Sequence, residues 1–428
     1  MGRKKYMVNE QKEKVSFWKH MLRTLLFWVV LAIILGALLG QILPTWAIVP
    51  FATFNDIFGK FLSFVVPLII TGLVTPAIFD LGKSGGKWLL VTVVIAYSST
   101  MVAGFGTWGI ASLLYPSLLS GQQVPDLATP ENAVASLMDP SFTIDPVFGV
   151  MTALVLAFVL GLGMTAARAE KLMNIFREFR ELIMIVITKA IVPLLPLHVF
   201  GIFLNMSKSG QFVDVIVVMA KVIVFAFILT VVMLLLQYTL AGILAKRNPL
   251  SALWGMSDAY FTALGTASSA ATIPVTLRCA RNNGVQPAIA DFVVPLCATI
   301  HLAGSTIKIT AFALALQYMM GITPDPAKMT AFIFMLGIIM VAAPGVPGGA
   351  ITAAQGVLQG ILAFTDPMYG IMVAMYVAVD SFGTATNVTG DGAIAIIVNT
   401  LAKGSLGTGS SAAKYAEESE AYAKGIDG

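Results

Sequence analysis

A polar stripe close to the end of the chain carries the residues best suited to chemistry. It lies in an apolar segment, Ile371 to Leu401, that is long enough to span a membrane as a helix. Five residues at i, i+3, i+4, i+7 and i+11 share one face of that helix: Asp380, Gly383, Thr384, Asn387 and Asp391. A carboxylate in hydrocarbon is retained only where it faces a cavity, a partner or an ion. The stripe predicts a binding surface for a small cationic or zwitterionic solute and an ion; a helix packed with internally satisfied polar groups is the alternative.

The composition is that of a polytopic membrane protein. The 428 residues are 57% hydrophobic and 11% charged, whereas about a quarter of the residues of a soluble protein are charged. Two cysteines, Cys279 and Cys297, cannot form a disulfide framework, and three scattered histidines do not form a metal cluster. We expect no cofactor other than a coupling ion, and no nucleic-acid partner.

Apolar runs of spanning length predict eight transmembrane helices. They cover approximately residues 21–43, 51–80, 87–115, 146–168, 178–205, 212–245, 287–320 and 366–402. Basic residues are concentrated before the first span and on alternate connections, and the loop 116–145 contains acidic residues but no lysine or arginine. Because basic residues favour the cytoplasmic side, we expect a multi-pass protein of the cytoplasmic membrane with both termini in the cytoplasm.

Two further apolar segments are interrupted by small residues and proline. Segment 249–283 is broken at Gly265–Pro274, and segment 327–363 is broken at Ala343–Gly349. Such breaks at membrane depth are tolerated only where they are buried in protein or line an aqueous site. Paired breaks in the two halves of a repeat predict re-entrant helical hairpins that meet at a transporter's binding site.

Four motifs, in order and with matching spacing, resemble those of the dicarboxylate/amino acid:cation symporter family, the glutamate transporter homologues. They are Ser268–Pro274 at the first hairpin tip, Thr299–Ser305 on the seventh span, Gly345–Ala350 at the second tip and Asp380–Asp391 on the last span. The resemblance covers about residues 15–402. It implies an all-α fold of eight transmembrane helices plus two re-entrant hairpins in inverted repeats, and a homotrimer that works by an elevator mechanism.

The resemblance also implies a division of the chain into a trimerisation scaffold and a moving transport domain. Scaffold segments are 1–86 and 116–206, and transport-domain segments are 87–115 and 207–403. The polar tail 404–428 is expected to be mobile and cytoplasmic. The second hairpin would act as the extracellular gate.

Carried over residue by residue, the family pattern assigns a substrate site. Asp380 matches the carboxylate that holds a substrate ammonium group, a charge-assisted hydrogen bond. The matching or neighbouring positions of the site are Ser268, Ser269, Ser305, Val346, Pro347, Gly348, Gly383, Thr384 and Asn387. Retention of Asp380 favours an amino acid over a plain dicarboxylate, because a dianion would be repelled there.

Departures from the family pattern bear on the substrate. Gly383 stands where members that carry acidic substrates have an arginine, which binds a side-chain carboxylate through two hydrogen bonds. Its loss removes a charge and is expected to open space, which predicts a neutral amino acid. Lys308 is the candidate that could restore a cation; the alternative is a lysine that snorkels to a membrane face.

Departures also affect the ion sites. The family's asparagine and aspartate that help bind sodium are His301 and Ala303 here. The resemblance leaves Thr299, the main chain around Asn387, and Asp391 as the expected sodium ligands. A stretch on the third span, Tyr97 to Thr100, lies near where the family supplies others. We expect fewer coupled sodium ions, or a proton on His301, whose imidazole titrates near ~6.5 when unperturbed. A structural, neutral histidine is the alternative.

Other functional classes compete with an amino acid symporter. An acidic amino acid or dicarboxylate symporter and a channel-like anion conductor are the alternatives within the same fold. An intramembrane aspartyl protease is excluded, because Asp380 and Asp391 lie about 16 Å apart along one helix and cannot share a proton. We therefore do not expect an enzyme.

Overall fold

Helices make up the regular secondary structure of the described part of the chain, where no strand occurs. The computed structural model describes residues 25–83, 87–121, 134–139, 141–210, 212–343 and 347–402. Four features of the sequence lie outside these residues: the basic N-terminus, the centre of the acidic loop, Val346 and the polar tail.

The first half of the chain consists of long apolar helices. They are α1 (Leu25–Ile42), α2 (Thr45–Lys83), α3 (Lys87–Leu118), α4 (Val150–Ala167), α5 (Glu170–Val186), α6 (Val192–Lys208) and α7 (Phe212–Ala245). A π-helical turn, Ile187–Ile191, joins α5 to α6 without a break. The predicted start of this span near residue 178 was therefore wrong: the helix begins at Glu170. Its first turns carry several charged residues, and hydropathy does not detect a polar helical extension.

The second half of the chain contains shorter helices. They are α8 (Pro249–Trp254), α9 (Ser257–Thr266), α10 (Ser269–Asn282), α11 (Pro287–Ile300), α12 (Ala303–Met319), α13 (Pro326–Ala342), α14 (Gly349–Leu362), α15 (Asp366–Ala378) and α16 (Asp380–Leu401). In both interrupted segments, the two helices that flank the break, α9 with α10 and α13 with α14, pack against each other. The first break is narrower than expected: only Ala267 and Ser268 leave the helix.

Two spans that the sequence predicts as continuous are broken. The seventh is interrupted at His301 and Leu302, and the eighth at Val379. The helices on either side of Val379 meet at an angle of 62°. Neither break contains glycine or proline, so no local turn signal marks it.

Length and composition test the number of spans. Five described stretches can cross a membrane: Thr45–Pro76, Lys87–Leu118, Glu170–Lys208, Val215–Ala245 and Pro287–Met319. The pair α15 and α16 adds a sixth if it is one bent span. The first and fourth predicted spans are shorter apolar helices, Phe27–Ile42 and Val155–Ala167, so the count of eight stays a prediction.

The packing surrounds α12 and α16 with other helices. α1 packs on α6, and α2 packs on α4, α5 and α6. α3 and α7 flank α12, while α7, α9, α11 and α12 cover α16. Nearly every residue of α12, and the stretch of α16 from Gly383 to Val398, is buried. The polar stripe therefore lies inside the protein and not on a lipid-facing surface.

The contact of α1 with α6 gives a test of the fold. A Cβ on Gly40 would lie 2.7 Å from Ser207 Cβ and would overlap the carbonyl of Leu204. We expect Gly40→Ala to lower the free energy of unfolding by about 1–3 kcal/mol, because the two helices would be forced apart. Thermal or denaturant unfolding in detergent measures this.

The matched control is Gly109→Ala on α3, where a Cβ would meet nothing within 4 Å. It should be neutral or stabilising by up to about 1 kcal/mol, since alanine favours the helix. Equal stability of the two variants would contradict this packing of α1 on α6.

Candidate functional site

The two broken spans bring their polar groups together. His301 and Leu302 have non-helical backbone angles between α11 and α12, and Val379 has φ −124° between α15 and α16. α12 packs on α16. Residues 301 and 308 lie opposite residues 391 and 380 respectively, so the two segments run antiparallel. Each carboxylate of the stripe thereby meets a basic side chain from the neighbouring span.

Asp380 is held on both of its oxygens. Lys308 Nζ lies 3.2 Å from Asp380 Oδ1, and both side chains are buried. The backbone N–H of Gly348, at the break of the second interrupted segment, donates to Asp380 Oδ2 at 2.8 Å. Gly348 has φ +74°, a conformation that glycine adopts without strain. The carboxylate therefore ties α12 and the start of α14 to the first turn of α16.

The ammonium group of Lys308 has further partners at the break in the last span. It donates to the carbonyl oxygens of Val379 and Asp380, each at 3.3 Å. It also lies 3.9 Å from the centre of the Tyr376 ring, within the range of a cation–π interaction. These groups stabilise a cation, because carbonyl oxygens and the face of an aromatic ring carry partial negative charge. Lys308 does not snorkel: it is 1% exposed.

Gly383 does not provide the open space expected from the sequence. A Cβ at this position would overlap Cε and Nζ of Lys308. The lysine therefore occupies the volume that a side chain at position 383 would fill. The expectation that the missing arginine leaves a gap was wrong, because a cation from α12 fills it.

A second set of contacts links the remaining polar residues of the stripe. Asn387 accepts from the backbone N–H of Gly304 at 2.8 Å and donates to Ser305 Oγ at 3.2 Å. The hydroxyl of Tyr376 donates to the same oxygen of Ser305 at 3.0 Å. Thr384 donates to the carbonyl of Asp380 at 3.1 Å. All six residues are buried, so these hydrogen bonds join the two broken spans into one polar network.

Asp391 and His301 form the other buried pair. His301 Nδ1 lies 2.9 Å from Asp391 Oδ1, and the two side chains are 0% and 1% exposed. On the other side of the ring, Nε2 lies 3.0 Å from Ser99 Oγ and 3.2 Å from Gln237 Nε2. The amide of Gln237 also donates to Ser99 Oγ at 2.9 Å. Residues from α3, α7, α16 and the break after α11 thus surround one imidazole.

Two buried oxygens of this cluster have no hydrogen-bond partner among the described residues. They are Asp391 Oδ2 and Gln237 Oε1. A buried polar atom without a partner costs free energy unless a proton, a water or an ion satisfies it. The cluster therefore has unused capacity for a small cation or a proton.

The other predicted residues that the structure describes lie at the breaks of the two interrupted segments and on α11. Ser268 caps α10, where its side chain accepts from Ala271 N–H, and Ser269 is buried beside it. Thr299 is exposed and donates to the carbonyl of Leu296 on its own helix. Pro347 is half-buried next to Gly348, and Val346 lies outside the described residues.

Two residues that contact the site were not predicted from the sequence. Gln237 contacts His301, and the ring of Tyr376 contacts Lys308. An amide in the apolar run of α7 is itself a signal, because polar side chains inside spans are rare and face the interior. Tyr376 gives no such signal, since aromatic residues are common in apolar helices.

Comparison with known proteins decides the family. The model of the sodium:dicarboxylate symporter family matches residues 25–401. The chain belongs to the sodium:dicarboxylate symporter family. It is a multi-pass membrane transporter of small molecules and not an enzyme.

Individual relatives agree with this assignment. The chain is similar to the serine/threonine transporter SstT of Acinetobacter baumannii (strain AYE), with 28% identity over 76% of this chain and 82% of that protein. It is also similar to excitatory amino acid transporter 2 of Mus musculus, with 31% identity over 42% of this chain and 31% of that protein. The human form is 32% identical over 39% of this chain and 29% of its own length.

The buried pair at Asp380 yields a prediction for stability. Asp380→Asn removes the charge that balances Lys308, and we expect it to cost about 3–5 kcal/mol of unfolding free energy because a buried cation loses its partner. The double variant Asp380→Asn/Lys308→Met should cost clearly less than the single variant. Unfolding in detergent of both singles and the double gives this coupling; strictly additive effects would show that the two side chains do not interact.

Proposed function

We propose that the chain is a secondary active symporter that carries a neutral amino acid across the cytoplasmic membrane. The observation that supports it most is the position of Asp380, a buried carboxylate that accepts from the N–H of Gly348 in the glycine turn before α14 and shares one face of α16 with Thr384 and Asn387. A carboxylate next to amide and hydroxyl groups matches the ammonium and carboxylate of an amino acid. The serine/threonine transporter relative supports a neutral side chain.

An acidic amino acid or dicarboxylate is the second candidate substrate. The specific observation in its favour is Lys308, whose ammonium group occupies the volume next to Gly383 and would attract a second carboxylate. The partial similarity to the excitatory amino acid transporters points the same way. Against it, Lys308 is already neutralised by Asp380, so the pair presents no net positive charge.

Sodium coupling is proposed from the family to which the chain belongs. Asp391 Oδ2, which has no hydrogen-bond partner among the described residues, and the main-chain oxygens around Asn387 are the candidate ligands, since sodium is a hard cation that binds oxygen. Thr299 is a weaker candidate because its hydroxyl is exposed and bonded to its own helix. The pairing of Asp391 with His301 favours fewer sodium ions than the family pattern implies.

A proton on His301 is proposed as a further coupling ion. In its neutral form the ring donates through Nδ1 to Asp391 and accepts at Nε2 from the amide of Gln237. When Nε2 gains a proton, the side-chain amide of Gln237 would have to rotate so that its oxygen and nitrogen exchange places. Oε1, which has no hydrogen-bond partner among the described residues, would then accept from the protonated Nε2. Asp391 would stabilise the resulting imidazolium. The cluster thus accommodates both protonation states.

The transport mechanism is proposed from the same resemblance and from the packing. α1, α2 and α4 to α6 would form the trimerisation scaffold, and α3 with α7 to α16 would move as an elevator in each subunit of a homotrimer. The mutual packing of α1 with α6 and of α2 with α4 supports the first unit, and the covering of α16 supports the second. The glycine turn at Gly348 would open and close the site. A channel-like anion conductance is the alternative that transport assays must separate.

A substrate panel tests the carrier function. In proteoliposomes, we expect a neutral amino acid to be taken up and to exchange with internal unlabelled substrate, because a carrier accelerates counterflow and a pore does not. Asp380→Asn should weaken substrate binding by about 10- to 100-fold, since one charge-assisted hydrogen bond is lost. Uptake of glutamate or aspartate alone would contradict the neutral substrate, and absence of counterflow would contradict a carrier.

A separate experiment tests proton coupling. With no sodium present, a pH gradient alone should drive uptake in the unchanged protein, and His301→Gln should abolish that component because glutamine cannot carry the proton. His198→Gln on α6 is the matched control and should retain it. Strict dependence on sodium, with no proton movement in the unchanged protein, would contradict a proton on His301.

A further inference from the structure

Lys308 is the buried charge whose role the proposed function leaves open. A lysine ammonium is a compact and strongly hydrated charge, so its burial is costly unless several groups replace water around it. Here four groups do so: one oxygen of Asp380, the carbonyls of Val379 and Asp380, and the ring of Tyr376. This is a site built for an ammonium group, and in this structure the protein itself supplies that group.

We propose that Lys308 is a tethered counter-cation, which pairs with Asp380 while the carrier is empty and is displaced from it when the ammonium group of the substrate binds. The proposal rests on the proposed function, because it assumes an amino acid at Asp380. It adds a role for Lys308 in the return of the empty carrier and in the choice of substrate.

The contacts of Asp380 favour such an exchange. Lys308 holds Oδ1 and the N–H of Gly348 holds Oδ2, so a substrate ammonium would have to approach Asp380 next to the ammonium of Lys308. Two ammonium groups crowded onto one buried carboxylate would repel each other strongly, because the interior screens charge poorly. A substrate ammonium can therefore bind only as Lys308 moves off Oδ1.

The surroundings of Lys308 limit where its ammonium can go. On the α7 side it borders an apolar cavity of about 280 Å³, lined among others by Phe227, Val379 and Phe382. An unpaired ammonium is not stable in such a cavity. The displaced group therefore stays near the carbonyls of Val379 and Asp380 and gains the carboxylate of the substrate as its new partner.

This exchange defines the chemical class of the substrate. A zwitterion inserts between Lys308 and Asp380 and pairs both charges at once. A simple amine would leave Lys308 without a carboxylate, and a simple monocarboxylate would leave Asp380 without an ammonium. The pair therefore selects α-amino acids over amines and monocarboxylic acids of the same size, because a buried unpaired charge is strongly unfavourable.

The same pair governs the return of the empty carrier. With Lys308 on Asp380, the empty site carries no net charge and can cross the membrane without a counter-transported cation. Without Lys308, the empty site is a bare carboxylate, whose movement through an apolar environment is unfavourable. Exchange of internal for external substrate does not need this step, since the loaded site always holds a substrate ammonium.

The experiment compares exchange with net uptake in proteoliposomes of the full chain at saturating amino acid. In Lys308→Met we expect a raised KM, because the substrate carboxylate loses its cation, but at saturating amino acid exchange should persist while net uptake falls at least about tenfold, because Asp380 of the empty carrier then has no ammonium partner. Potassium or sodium on the side where substrate is released should partly restore net uptake. Lys221→Met on α7, outside the site, is the control and should leave both rates unchanged.

Two other results would overturn the proposal. One is an equal fall in exchange and net uptake, and the other is no change in either. A test on the unchanged protein stands even if Lys308→Met does not fold: its net uptake should be the same with choline or potassium as the internal cation, and a requirement for an internal cation would overturn the proposal.

A second variant returns the cation to α16. Lys308→Met/Gly383→Arg removes the side chain that overlaps position 383 and places a guanidinium beside Asp380. It should recover net uptake relative to Lys308→Met, and lack of recovery in a folded double variant counts against the proposal. Failure of the proposed function is distinguishable, because the unchanged protein would then show no amino acid exchange at all.

Discussion

Two carboxylates buried in one apolar helix set the main constraint on this structure. An ionised carboxylate inside a protein requires a cation or several hydrogen-bond donors, and α16 carries both Asp380 and Asp391. Each is paired with a basic side chain from the span that runs antiparallel to it, Lys308 and His301. The break at Val379 serves the first pair, because the carbonyls of Val379 and Asp380 accept from Lys308.

The two pairs differ in what they leave unsatisfied. Asp380 has a partner on each oxygen, and one of these partners belongs to the glycine turn before α14. Within the described part of the chain, Asp391 Oδ2 has no hydrogen-bond partner, and neither has Gln237 Oε1 on the other side of the His301 ring. The first pair is therefore suited to an exchange of ammonium groups that also moves the turn, and the second to the gain of a proton or an ion. Both carboxylates lie on α16, so a movement of this helix at one pair would also move the other pair.

Part of this arrangement follows from the sequence. The spacing of Asp380, Asn387 and Asp391 predicts a buried polar face, and glycine and proline mark the two segments that form packed helix pairs. The breaks at His301 and Val379 are not predictable in this way, since neither contains a turn residue. The place of Lys308 in the site depends on a long side chain that reaches across to another helix, and residue spacing along one helix does not report such contacts.

The most direct measurement is the distance from Lys308 Nζ to Asp380 Oδ1 in experimental structures of the protein in lipid nanodiscs, determined without and with an amino acid. The pair is 3.2 Å apart here. We expect a similar distance in the substrate-free protein and, with substrate bound, an ammonium group of the amino acid in the place of Nζ. A Lys308 that points to lipid without substrate, or stays on Asp380 beside a bound substrate, would contradict the exchange of cations.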